Sequence, residues 1–226
     1  MVTQKDPTLM QPSPSPLCVI GDLHGRTKTL SRILAEAKEK NPYYHYVFIG
    51  DILHHKAYFT RTKKTSPIKL LRSVKKMTEA NEATLLRGNN EQYIIDNIDT
   101  PLELIKSNQV RYTVECIKRL QIKEVSGIMS WLNGLPTYVQ IGQYRMAHAY
   151  YPSPLKPIPE SVIVSGPGYP WFKKDQLSQH LDSKFTYILG HYGYPFIKAN
   201  LKIIDATLFE GVGVYYTDRD EFMVYY

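Results

Sequence analysis

Asp22 and His24 in VIGDLHG, Asp51 in VFIGD, Asn89 in LLRGNN, His148 in MAHAY and His191 in LGHYG are six potential metal ligands, in an order that reads as one two-metal site. Two divalent ions held ~3.5–4 Å apart need one carboxylate that can bridge, several further ligands, and open positions for water and substrate. Asp51 is the bridging candidate. Three imidazoles and two carboxylates suit manganese, iron, zinc or nickel better than calcium, which prefers an all-oxygen shell. Two dications against two aspartates leave a centre of roughly +2, which attracts phosphate. Singly, each ligand has a plainer explanation, since a lone histidine is usually a packed or surface residue and an aspartate before a helix is usually a cap. Six of the right types in sequence favour the metal site.

The surrounding pattern supplies strand ends on which to mount them. LCVIGD, YVFIGD and TYILGH are short runs of β-formers, and Gly21, Gly25, Gly50, Gly88 and Gly190 punctuate their ends. Leu30, Ile33, Leu34 and Ala37 recur at helical spacing, and Asn41-Pro42 stops that helix, so the first unit is βαβ. A second helix is expected to open at Ser66-Pro67 and to bury Ile68, Leu71, Val74 and Met77. Residues 91–134 look helical, with interruptions at Asn97 to Pro101 and near Gly127. TYVQIGQYRMAHAYY suggests a hairpin turning near Gly142, and the chain from Lys202 suggests further strands with a turn at EGVG. The proline-rich stretch 152–170 shows no strong periodicity and could border the site as a loop.

These blocks resemble those of the calcineurin-like metallophosphoesterase superfamily, and within it the phosphoprotein-phosphatase branch, whose signature runs GDxHG, GDxxDRG, RGNHE, HAG and GH. The first block is complete at residues 21–25, the third is RGNNE at 87–91 and the fourth is His148-Ala149-Tyr150. The resemblance runs from about residue 16 to about residue 207, and the chain length is similar to that of the branch's short bacterial and phage forms. It implies an α/β fold: a two-sheet β-sandwich flanked by helices, with the active site at the C-terminal ends of the strands. It also implies that Asp22 and His24 join Asp51 on one metal, and that Asn89, His148 and His191 join it on the other. Asp205, in LKIIDAT, resembles the aspartate of the family's NIDT element and is read as a turn residue or a support behind the ligands.

Two blocks depart from the pattern. In the family, the GDxxDRG aspartate orients the RGNHE histidine, which helps protonate the leaving oxygen, while the arginine of that block grips phosphate. Here those positions hold His54, Asn90 and His55. An amide has no proton to release in this pH range, whereas a histidine with an ordinary pKa of ~6.5 could donate one. His54 is therefore the candidate acid, with Asn90 beside it; in the alternative reading His54 and His55 point to solvent. Candidate phosphate contacts are His55, Arg26, Lys56 and Lys173, the last in a WFKK segment similar to the family's tryptophan-arginine element.

Lys plus Arg exceed Asp plus Glu, 28 against 21, for a net charge of +7. The excess is uneven: no acidic residue lies between Ile52 and Thr78, while Lys56, Arg61, Lys63, Lys64, Lys69, Arg72, Lys75 and Lys76 do. This run either steers an anionic substrate or is the solvated side of a helix. The 226 residues, 43% hydrophobic, suffice for one domain over 16–226 behind a flexible Pro/Ser-rich tail at 1–15. Cys18 and Cys116 read as buried thiols of a reducing compartment, and with no signal-like or membrane-length apolar run the expectation is a cytoplasmic protein without membrane contact. The expected activity is hydrolysis of a phosphomonoester or nucleotide-type phosphate by a hydroxide activated on two metals, manganese first among them. The substrate would be a phosphorylated small molecule, a nucleotide or a phosphoprotein. Two other readings stand: a metal-retaining but catalytically weak phosphate- or partner-binding protein, and a nucleic-acid phosphoesterase.

Overall fold

The computed structural model describes residues 9–10, 15–53, 67–151, 160–165 and 181–226. Two mixed sheets face each other. One holds β2 (Leu17–Ile20), β3 (His45–Phe48), β4 (Ala83–Leu85), β10 (Val212–Tyr216) and β11 (Glu221–Tyr225) in the order β11-β10-β2-β3-β4. The other holds β1 (Leu9–Met10), β5 (Tyr138–Ile141), β6 (Tyr144–Ala147), β7 (Thr186–Leu189), β8 (Phe196–Lys198) and β9 (Leu201–Ile203) in the order β1-β5-β6-β7-β9-β8. This is the expected α/β architecture of two sheets flanked by helices.

Alternation along the strands explains the layering. Leu17, Val19, Val47 and Ile49 point between the sheets, where they meet Val139, Ile141, Met146, Ile188 and Tyr215. Their neighbours Cys18, Ile20 and Phe48 point the other way, onto the helices. There α1 (Thr27–Lys40) buries Leu30, Ile33 and Ala37, and α2 (Pro67–Glu79) buries Ile68, Leu70, Leu71 and Val74. On the far side, Ala147, Tyr187, Leu189 and Ile203 cover the outer face of the second sheet with Tyr151 and Ile163.

The helical stretch divides differently from expectation. α3 (Asn89–Asn97), a short 3-10 turn at Leu102–Leu104, α4 (Asn108–Lys118) and α5 (Ile122–Asn133) follow one another. Gly127 interrupts nothing; it lies inside α5 with open space where a Cβ would be, so the flanking Val125, Ile128 and Leu132 carry the helix through. Within the segment expected to be a mobile tail, Leu9 and Met10 pair in parallel with Gln140 and Ile141 at the sheet edge. The proline-rich stretch also contains a helix, α6 (Glu160–Ser165), whose Ile163 carbonyl accepts the amides of Ala149 and Tyr150. The hairpin turns at Gly142, with φ of +56°, as its composition suggested. In EGVG only Glu210 and Gly211 form the turn, since Val212 already belongs to β10. Among the described residues no helix is long and apolar enough to cross a membrane.

Candidate functional site

Asp22, Asp51, His148 and His191 follow β2, β3, β6 and β7, and Asn89 opens α3 beyond β4. These strands run parallel across each sheet (β2-β3-β4 and β6-β7), so their C-terminal ends converge on one edge of the sandwich. The approach is close enough to require glycine. A Cβ on Gly50, whose φ is +98°, would stand 2.7 Å from the Gly88 backbone and 2.8 Å from His148 Nδ1. One on Gly190 would collide with Asp22 Oδ1.

His24, Asp51 and His191 take φ angles of +43°, +50° and +69°. Such left-handed backbone is unfavourable for residues with a Cβ, persists only where the surroundings enforce it, and gathers at functional sites. The enforcement is visible. The Asp51 carbonyl accepts the amides of Leu23 and His24 at 3.1 and 2.9 Å, and the His191 amide donates to both oxygens of Asp22 at 3.2 and 3.3 Å.

Asp22, His24 and Asp51 are all buried and offer ligand atoms within 4.8 Å of one another. Burial, followed by the nearby Asp205 and Asp51 carboxylates, pushes the Asp22 pKa well above the usual carboxylate range. A dication among these oxygens would offset that repulsion. The remaining three residues meet at one atom: Asn89 Oδ1 lies 3.0 Å from His148 Nε2 and 2.8 Å from His191 Nδ1. His148 Nδ1 is 2.8 Å from the Ile49 carbonyl. Burial, with the His191 and His24 imidazoles adding to it, holds the His148 pKa well below the usual value, so the ring is neutral and has one proton for two carbonyl neighbours. With that proton directed at Ile49, Nε2 and Asn89 Oδ1 face each other as two lone pairs. A divalent cation held by these two atoms would offset that lone-pair repulsion. The same Nε2 is 3.4 Å from Asp51 Oδ1, which leaves Asp51 common to both groups.

Asn90 turns inward. Its backbone amide donates to Asp51 Oδ1 at 2.9 Å, its side-chain amide donates to Asp51 Oδ2 at 2.8 Å, and the same nitrogen is 3.2 Å from His24 Nδ1. Glu91, fully buried, was not singled out from the sequence. Its carboxylate accepts the amides of Asp51, Leu53 and Gly88 at 2.8, 3.1 and 3.0 Å, tying the loop after β3 to the start of α3. The sequence signal was the glutamate three residues after Gly88 at a helix start, the second half of a capping box. Asp205 accepts the amides of Gly193 and Thr207 and the Thr207 hydroxyl, so it braces the loop that carries His191. Arg26 is half-buried and donates to the Leu23 carbonyl at 3.3 Å, within electrostatic reach of Asp205, Glu210 and Asp22. His54, His55, Lys56 and Lys173 lie outside the described residues.

Known structures share this architecture. A protein named as a candidate diadenosine tetraphosphatase superposes with a TM-score of 0.67 at 15% identity, covering 95% of each chain. A metallophosphoesterase from Sphaerobacter thermophilus gives 0.56 at 14% identity, over 93% of this chain and 87% of that one. A serine/threonine phosphatase from Saccharomyces cerevisiae gives 0.51 at 16% identity, over 93% and 78%. At such identities the likeness concerns the fold. Comparison with curated protein sequences gives no match. The sequence model of the calcineurin-like phosphoesterases matches residues 15–219, nearly the whole chain and all six candidate ligands, and on that match the chain belongs to the calcineurin-like phosphoesterase family of metal-dependent phosphoester hydrolases.

Proposed function

We propose that this phosphoesterase hydrolyses a phosphomonoester or a nucleotide-type phosphate, with two divalent ions held by Asp22, His24, Asp51, Asn89, His148 and His191, manganese being the first choice. The observation that carries this reading is the position of Asp51, whose carboxylate lies within ligand spacing of Asp22 and His24 and 3.4 Å from His148 Nε2. When bound, the ions would lower the pKa of a water to supply the nucleophile and would offset charge on the phosphoryl oxygens. The chain's own part is to fix the ligands. Asn90 holds both oxygens of Asp51, Glu91 holds the backbone on either side, and the Ile49 carbonyl holds the His148 ring in one tautomer. His54 is assigned the proton delivered to the leaving oxygen, and His55, Arg26, Lys56 and Lys173 the contacts to phosphate. Two free thiols, Cys18 and Cys116, support a cytoplasmic setting.

A second reading, a metal-retaining protein with weak turnover, draws on Asn90, whose side chain is occupied by Asp51 and His24 and carries no transferable proton. One experiment separates the two. With manganese present, an alkyl phosphate and a nitrophenyl phosphate are compared in wild type, His54→Ala and Asp51→Asn. The enzyme reading expects turnover abolished by Asp51→Asn, and a loss in His54→Ala at least about tenfold greater for the alkyl ester, because an aryl oxygen departs with little protonation. Turnover that survives Asp51→Asn or removal of metal would overturn it. Absent turnover with two metals bound would favour the second reading.

A further inference from the structure

β6 and β7 pair in parallel, and their ladder continues past the strand ends as far as the Gly190 amide, which donates to the His148 carbonyl at 2.8 Å. There it stops. The Tyr192 amide turns back to the Gly190 carbonyl at 2.9 Å, and this bond between residues two apart, with φ of +69° at His191 between them, marks the strained form of the γ-turn. A side chain mounted at the centre of such a turn stays there only where the chain is held on both sides. Before the turn, β7 is paired with β6 and β9. At it, the His191 amide donates to Asp22. Directly after it comes Tyr192, whose hydroxyl donates to the Ala149 carbonyl at 2.6 Å.

We infer that Tyr192 is a positioning residue of the candidate metal centre, its hydroxyl holding His191 in the strained turn and at a fixed spacing from His148. The inference rests on the proposed metal-site reading and adds to it a residue outside the six ligands. Ala149 follows His148 directly, and its amide is bound to the Ile163 carbonyl at 3.1 Å, so the Tyr192 hydroxyl ties the His191 loop to a peptide that is itself anchored. The Tyr192 ring adds to the hold. It lies edge-on to His191 at 5.6 Å and packs on the outer cluster that contains Tyr151 and Ile163. His191 in turn lies edge-on to His148 at 5.1 Å, and both imidazoles reach Asn89 Oδ1. A phenylalanine at this position would keep the ring and lose the tie, and the turn would be released toward an ordinary conformation that carries the His191 imidazole away from Asn89 and His148.

The test is titration of the full chain with manganese and, separately, with cobalt(II), whose visible absorption reports the number and geometry of its ligands. Tyr192→Phe is expected to bind each metal at least about tenfold more weakly, the scale of losing a group that orients a ligand, and to give an altered cobalt spectrum. Tyr44→Phe is the control. It removes a hydroxyl bond of the same length, 2.6 Å to Asp218, at the end of β3 away from Asp51. That variant should lower the melting temperature yet leave both metal affinities and the cobalt spectrum as in wild type. Wild-type affinity and spectrum in Tyr192→Phe, or an equal loss of affinity in the two variants, would overturn the role of Tyr192 and leave the metal centre standing. Failure of wild type to bind either metal would overturn the metal-site reading and this inference with it.

Discussion

Asn90 binds both carboxylate oxygens of Asp51, its backbone amide reaching Oδ1 at 2.9 Å and its side-chain amide reaching Oδ2 at 2.8 Å. The family's histidine gives way here to a residue that orients the central carboxylate, a role an amide fills with a donor and without an acid. Asn90→Ala is expected to weaken manganese binding about 10- to 100-fold, the usual effect of losing a partner behind a metal ligand. Asn90→Asp, which sets a further carboxylate against Asp51, should weaken it more. Metal titration of the two variants checks both; affinities equal to wild type would remove Asn90 from the site.

Two glycines should respond to alanine in opposite directions. At Gly190 a Cβ would collide with Asp22 Oδ1, and Gly190→Ala should displace that carboxylate, lowering both metal affinity and the melting temperature. At Gly127, exposed inside α5 with open space around the missing Cβ, Gly127→Ala should raise stability by about 0.5–1 kcal/mol through the ordinary helix preference. Denaturant unfolding measures both. A stabilised Gly190→Ala would contradict the packing of the β7 end against Asp22.

Stability of the metal-free protein should depend on pH through two groups with opposite signs. Asp22 has its pKa raised in the fold, above the ~3.9 of an unfolded aspartate. The folded state therefore binds the extra proton between the two values, and this group's contribution falls as pH rises through that window. His148 has its pKa depressed below ~6.5, so the unfolded state binds the extra proton there, and stability falls as pH drops through that value. At the proposed site a dication would replace the proton on Asp22 and would require the neutral form of His148. Manganese should accordingly raise the melting temperature more at pH 7.5 than at pH 5.5, with proton release on binding. Equal shifts at the two pH values would show that neither group takes up the metal.

The chain by itself determined what depends on residue type and short-range spacing. The six ligand candidates, their place after β-forming runs, and helices α1 and α2 were legible because a period of two or 3.6 and a glycine at a strand end are local signals. Tertiary structure decided which side chains meet. Asn90 and Glu91 lie about forty positions from Asp51, whose carboxylate the first holds and whose backbone amide the second accepts, and nothing in RGNNE states that its second asparagine turns toward Asp51 and His24. The pairing of Leu9–Met10 with β5 and the passage of α5 through Gly127 likewise follow from distant or summed contacts that outweigh composition and a single weak residue. The left-handed backbone at His24, Asp51 and His191 is the plainest case, because each residue prefers another conformation alone and takes this one only where two packed sheets bring the strand ends together.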